Sequence, residues 1–379
     1  MKRVKFGDIV RDVKVQVDRS NNPYLHYVAG DHMDSMDLTI RRKGSFATDD
    51  VGPAFIRIFK PGQVLYGSRR TYLKKIAVAD FEGICSNTTF VLETKDSNVF
   101  LQELLPFIML SESFTKWSIS HSKGSTNPYV LFSDLANYEF TLPSLSEQKV
   151  LADKLWAAYR VKESYKKLLA ATDDMLKAKF MEMFGDPLCT TNSGKVKLGE
   201  VCIINPRKDK KLELDVNVSF FPMDKIFEDG RYTELPIRPY EEVSKGFTYA
   251  EEGDVIFAKI TPCMENGKGM ILKNLANKVG FGSTEFHVLR PIENTTKSEY
   301  LYVLLSLPQF RIEAAKNMTG TGGQRRVPTS FLSDFKILPP SMPLQEEFAI
   351  IYTQAEATKE SLRKSIENID QVIKSLINQ

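Results

Sequence analysis

Two pairs of loops carry the side chains best suited to chemistry on a phosphate or a base. The first pair is Ser68-Arg69-Arg70-Thr71-Tyr72-Leu73-Lys74-Lys75 and, in the second half of the chain, Lys259-Ile260-Thr261-Pro262 followed by Asn266-Gly267-Lys268. Arginine forks reach guanine edges or phosphates and lysines reach phosphates, which makes Arg69, Arg70, Lys74, Lys259 and Lys268 candidate DNA contacts. The plainer reading is a solvated hairpin tip. The second pair is SKGSTNPY from Ser122 and MTGTGGQRRVP from Met318. Its glycines let backbone N–H groups approach a phosphate, and Lys123, Ser125, Thr126, Asn127, Thr321, Gln324, Arg325 and Arg326 offer groups able to touch backbone or bases. Here the plainer reading is a flexible connector. Arg41-Arg42-Lys43 is a weaker case, read as surface charge because Asp49 and Asp50 lie close by.

Other chemistries find little support. No G-x-x-x-x-G-K-[ST] phosphate loop exists, so nucleotide hydrolysis is not indicated. Asn127-Pro128-Tyr129 and Asn22-Pro23-Tyr24 are similar to the catalytic Asn-Pro-Pro-Tyr of adenine methylases, but each lacks one proline and no glycine-rich cofactor loop accompanies them. A self-contained DNA adenine methyltransferase is therefore the rival enzyme reading. His26, His32, His121 and His287 sit in no nucleophile or metal pattern. Cys85, Cys189, Cys202 and Cys263 lie far apart without a CxxC, which points to reduced, partly buried thiols rather than zinc or disulfides. A net charge of +3 on 379 residues is too small to argue nucleic-acid binding from bulk electrostatics, so the case rests on local clusters. No apolar run approaches a membrane span, and MKRVKFGDIV lacks the apolar core of a signal peptide; the expectation is a cytosolic protein.

The elements that must position these loops recur. Val4-Lys5-Phe6-Gly7-Asp8-Ile9 is echoed by Val196-Lys197-Leu198-Gly199-Glu200-Val201, and Gly62 to Tyr66 by Gly253 to Phe257. Thr88-Thr89-Phe90 matches Thr284-Glu285-Phe286, Phe114 matches Phe310, and Leu142-Pro143 matches Leu338-Pro339, at a spacing near 196 residues. That period is too long for a solenoid and suits two copies of one domain with its connector. Glycine-bounded apolar runs such as Val64 to Tyr66 and Val255 to Phe257 read as buried strands, while Phe100 to Leu110 and Tyr300 to Leu305 read as packed helices. The class is α+β.

Each copy ends in a long helix. The first opens on a capping box, Ser144-Leu145-Ser146-Glu147, and closes at Phe184-Gly185-Asp186-Pro187; in the second, Pro343 suits a first turn. Phe348, Tyr352, Ala355, Lys359, Leu362, Ile366, Ile369, Ile373 and Leu376 follow alternating four- and three-residue steps, a coiled-coil seam. Leu151, Leu155, Ala158, Lys162, Tyr165, Leu169, Thr172, Leu176 and Lys179 repeat it in the first helix. Lys162 and Lys359 share one seam position, where a lysine either fixes register or lays its stem over the seam edge. Two such helices most simply pack antiparallel, and about 29 residues of helix span roughly 43 Å, the order of one DNA turn.

A domain ending in LPxLxEQ and running into a long helix, written twice, resembles the specificity subunit of type I restriction-modification systems. Leu142-Pro143-Ser144-Leu145-Ser146-Glu147-Gln148 carries the motif, and Leu338-Pro339-Pro340 with Gln345-Glu346 carries a modified form with Ser341-Met342-Pro343 inserted. The resemblance implies a non-catalytic DNA reader with two similar mixed α/β target-recognition domains separated by two long antiparallel coiled-coil helices. On that reading residues 1–143 and 186–340 are the recognition domains, and 144–185 and 341–379 the helices. It also implies a bipartite double-stranded DNA site, two docked methyltransferase subunits bringing S-adenosylmethionine, and through them restriction subunits using ATP and Mg²⁺. A coiled-coil adaptor without DNA is the third reading.

Overall fold

The computed structural model describes residues 2–187, 194–209, 211–338 and 341–378. Cys189, Pro339 and Pro340 lie outside these. The chain folds as two compact units, one made of residues 1–166 with 364–379 and the other of residues 167–363. Both are mixed α/β.

In the first unit a four-stranded antiparallel sheet has the order Val10–Asp12, Thr89–Thr94, Val64–Gly67, Ile76–Val78. A second sheet has the order Gly44–Ser45, His26–Val28, Gly83–Ser86, Phe55–Phe59, with a parallel pair at its centre. The other unit repeats both orders. Its first sheet runs Cys202–Ile204, Phe286–Pro291, Val255–Ala258, Gly269–Ile271, and its second runs Ile237–Pro239, Asn217–Phe221, Val279–Gly282, Thr248–Glu251. Each unit adds a two-stranded ribbon, Lys2–Lys5 with Glu139–Leu142 and Val196–Lys197 with Lys336–Ile337.

The continuous apolar strands have a direct explanation. Successive residues of a strand face opposite ways, so a strand covered on both sides must be apolar throughout. Val64 and Tyr66 enter one buried cluster and Leu65 another; Val255 and Phe257 enter one cluster and Ile256 and Ala258 another.

Strand register corrects one sequence match. Val64 pairs with Leu92 and Tyr66 with Phe90, while Val255 pairs with Leu289 and Phe257 with His287. The counterpart of His287 is therefore Phe90, and that of Glu285 is Thr88. Matching Thr88-Thr89-Phe90 to Thr284-Glu285-Phe286 is one residue out, a slip that turns every side chain to the other face.

The packed helix expected over Phe100 to Leu110 is shorter. A 3-10 turn at Gln102–Leu104 precedes a helix at Leu105–Leu110, whose Pro106 fits only a first turn because it has no N–H to donate. Ser298–Ser306 forms the corresponding helix of the other unit.

The long helices span Leu145–Phe184 and Met342–Ile377, 40 and 36 residues, longer than the 29 read from the seam. The capping box forms: Glu147 accepts from the Ser144 N–H at 2.8 Å, and Ser144 Oγ accepts from the Glu147 N–H at 3.4 Å. Gly185, at φ 75°, closes the first helix with its N–H on the Met181 carbonyl. All seam residues of both helices are buried or half-buried. The two seam lysines are paired inside, not laid over an edge: in the first unit Lys162 meets Asp370, and in the second Lys359, 2% exposed, meets Asp173 at 2.6 Å and Glu356 at 2.7 Å.

Candidate nucleic-acid interface

In each unit the two candidate loops are stitched into one ridge. In the first, the Arg70 N–H donates to the Pro128 carbonyl at 2.6 Å and the Val130 N–H to the Ser68 carbonyl at 3.0 Å, while Lys123 and Tyr129 exchange both backbone bonds, at 2.7 and 2.9 Å. In the second, Thr261 N–H donates to the Arg325 carbonyl at 3.0 Å, Val327 N–H to the Lys259 carbonyl at 2.9 Å, and Thr319 and Arg326 exchange both bonds at 2.9 and 2.8 Å. The same four bonds recur, so Ser68, Arg69 and Arg70 stand where Lys259, Ile260 and Thr261 stand, and Pro128 and Tyr129 where Arg325 and Arg326 stand. A backbone so fully bonded among itself is a fixed platform, and its side chains point away from it.

The platforms carry different chemistry at equivalent places. The arginines of the first ridge come from its first loop: Arg69 and Arg70 are both exposed, Arg70 at φ 50°, with no carboxylate partner among the described residues. Beside them lies a cleft of about 300 Å³, lined by Gly30, Gly67, Arg69, Arg70, Lys75 and Thr88 among others. Tyr72 and Tyr129 are exposed aromatics on the same ridge. The arginines of the second ridge come from its second loop. Arg326 is locked on Glu285 by two bonds, Nε to Oε2 at 2.9 Å and Nη2 to Oε1 at 2.8 Å, and its Nη1 donates to the Gln324 carbonyl at 3.0 Å. Arg325 is exposed and lies 3.9 Å from Glu265. The hydrogen bonds from Arg326, with its charge and that of Lys259, hold the Glu285 carboxyl below its usual range.

The remaining candidates divide. Lys123, Ser125, Thr126, Thr321 and Gln324 are exposed and Asn127 and Lys259 half-buried, all on the ridges; Lys123 also pairs with Asp134 at 3.1 Å. Lys74 and Lys268 turn inward. Lys268 Nζ donates to the Met223 carbonyl at 3.2 Å, and Lys74 lies by the Leu110 carbonyl, where burial lowers its pKa. Arg41 is not loose surface charge either, since it pairs with Asp37 and Glu163 on the first long helix.

Sequence reasoning missed the residues that hold the second ridge in place. Buried His287 bonds the Val327 carbonyl through Nε2 at 2.8 Å, and Arg311 donates to the carbonyls of Met264 and Gly267. Glu285 was missed as well. Each acts on a partner about 40 residues away or more, which no local pattern signals.

Among the described residues no helix is long and apolar enough to cross a membrane, and no group of acidic, histidine or cysteine side chains is arranged to hold a metal ion.

Comparison with known proteins gives a family. Segments 56–171 and 191–371 match the type I restriction modification DNA specificity domain. The EcoAI specificity subunit of Escherichia coli is 35% identical over 186 residues, 48% of this chain and 31% of that protein. The EcoEI specificity subunit of Escherichia coli is 38% identical over 160 residues, 42% of this chain and 26% of that protein. The alignments thus span less than a third of those relatives' own length. A solved type I restriction-modification S subunit from M. genitalium aligns over 99% of this chain and 94% of its own with a TM-score of 0.52 and 14% identity, a likeness of fold. With both matched segments taken together, this chain belongs to the type I restriction modification DNA specificity domain family.

Proposed function

We propose that this chain is the DNA-specificity subunit of a type I restriction-modification complex, and that each unit reads one half of a bipartite double-stranded site through its stitched ridge. The observation that carries this reading is the recurrence of the ridge, bond for bond, once per unit, with exposed guanidinium groups on both. Phosphate contacts fix register and base-edge contacts specify sequence, and arginine serves both. The sites are Arg69, Arg70, Lys123, Ser125, Thr126 and Asn127 on one ridge, and Lys259, Thr321, Gln324, Arg325 and Arg326 on the other. Lys74 and Lys268 act as struts beneath them.

The division into recognition domains at 1–143 and 186–340, with helices at 144–185 and 341–379, belongs to the same proposal. The two helices pair antiparallel as a coiled coil and set the distance between half-sites. Lys162 on Asp370 and Lys359 on Asp173 support it, since each joins the seam lysine of one helix to an aspartate one and a half heptads beyond the equivalent lysine of the other, a reciprocal pairing that suits antiparallel helices. Two methyltransferase subunits dock on the complex and supply S-adenosylmethionine, and restriction subunits using ATP and Mg²⁺ join through them, in the cytoplasm. The chain itself does no chemistry.

Purified chain incubated with DNA and labelled S-adenosylmethionine is the test. Alone it transfers no methyl groups; with its methyltransferase subunits it directs them to a two-part motif. Methylation by the chain alone would establish the adenine methyltransferase reading instead.

A further inference from the structure

Arg326 is the one candidate contact whose guanidinium is held on three sides. A guanidinium has five N–H donors in a fixed plane. Glu285 takes one from Nε and one from Nη2, and the Gln324 carbonyl takes one from Nη1. One N–H on each terminal nitrogen stays free. Two terminal N–H groups on one plane are what N7 and O6 of guanine accept in the major groove.

The backbone under this fork is fixed as well. Arg326 exchanges both backbone bonds with Thr319, and its neighbours bond Thr261 and Lys259. The turn linking them depends on Gly320, at φ 116°, where a Cβ would stand 3.1 Å from the Gln324 carbonyl oxygen and 3.3 Å from Arg325 Cα. Glu285 is set at the first residue before the strand Phe286–Pro291, its carbonyl accepting the Lys259 N–H at 2.9 Å. Both partners of the ion pair thus rest on the same ridge. The first unit offers no such device, because Tyr129 and Thr88 occupy the two places.

We propose that Arg326 reads a guanine in the half-site of the second unit, and that Glu285 is the positioning residue that aims it. This rests on the DNA-reading function proposed above. Orientation matters because a freely rotating arginine finds phosphates as readily as base edges, whereas a held fork meets only what lies in its plane. Glu285 also carries a specific cost for error: placed beside a phosphate without Arg326 in between, its charge repels the backbone. Arg325, with its looser carboxylate at 3.9 Å, is left to the phosphates.

The test uses the full chain with its methyltransferase subunits, wild type or carrying Arg326→Lys, Glu285→Gln or Glu285→Asp. Two readouts are taken: the methylated motif in cells, and binding of the complex to duplexes in which one guanine at a time is replaced by 7-deazaguanine. The wild type should show an invariant guanine in one half-site and lose about tenfold or more in affinity when its N7 is removed. Arg326→Lys and Glu285→Gln should relax that position about tenfold to a hundredfold, leave the other half-site unchanged and become indifferent to the 7-deaza base. Glu285→Asp should retain part of the preference. A purely structural role for the pair predicts a lower melting temperature and weaker methylation with the motif intact, and that result overturns the proposal. A wild-type motif without guanine in either half overturns it too, while leaving the function standing. A wild type that directs no two-part motif removes both.

Discussion

His287 sits between Asn205, whose Nδ2 lies 3.1 Å from its Nδ1, and the Val327 carbonyl, 2.8 Å from its Nε2. It is 3% exposed, and burial pushes its pKa below the usual imidazole value, with nearby Lys259 adding to the shift. Unfolded chain takes up the proton more readily, so the native fold loses stability as pH falls below about 6.5 toward the depressed folded value, and keeps all of it above. A glutamine offers the same donor and acceptor without a charge. Melting temperatures of the wild type should therefore fall more between pH 7.5 and 5.5 than those of His287→Gln, and equal slopes would show that His287 does not titrate against this packing. At this scale the sequence was legible only where type and place coincide. Arg69 and Arg70 could be read as free cations because nothing near them competes. Arg326 could not be read as locked, since Glu285 lies 41 residues away and the repeat match had slipped by one. Nor does residue type say that Lys74 and Lys268 point inward.

Gln148 and Gln345 occupy the same place in the two long helices, and both are buried, 1% and 0% exposed. Gln148 accepts the Leu101 N–H at 3.0 Å and donates to the carbonyls of Val99 and Pro143, each at 3.0 Å. Gln345 does the same for Lys297 and Thr295, at 2.9 and 3.0 Å. Each amide ties the start of a helix to the segment entering the helical part of its unit. Replacing Gln148 by leucine keeps the volume but takes the partner from a part-buried N–H and two part-buried carbonyls, which together cost about 1–3 kcal/mol, the scale of one fully buried unsatisfied group. Chemical denaturation of Gln148→Leu should show a loss of that order at least; a loss below about 0.5 kcal/mol, the scale of a surface change, would mean that water replaces the bonds. The helix boundaries were legible because capping box, glycine and proline act locally. The tie was not, because the glutamine of the motif works on loops some 50 residues before it. Pro106 was visible, yet the helix before it was overextended: apolar density marks burial, and the proline marks where regular hydrogen bonding starts.

The order of the whole molecule was the most legible feature, since two copies at a constant spacing leave marks wherever both need the same turn or cap. The second sheet of each unit was not. Its strands are short, several of two or three residues, and His26–Val28 alternates too little to be told from loop. The two ridges followed from neither periodicity nor spacing, because each joins loops about 58 to 68 residues apart, chiefly through backbone bonds that any residue type can make. On the function proposed for them, one chain holds two independent readers. Methylome sequencing of cells expressing the chain with its methyltransferase subunits, as wild type, as Arg69→Ala with Arg70→Ala, and as Arg325→Ala with Arg326→Ala, measures this directly. A two-part motif is expected from the wild type, with each double variant relaxing one half, a different half in the two cases, by about 1–3 kcal/mol per lost base contact. If either double variant altered both halves alike, the two units would not read DNA separately.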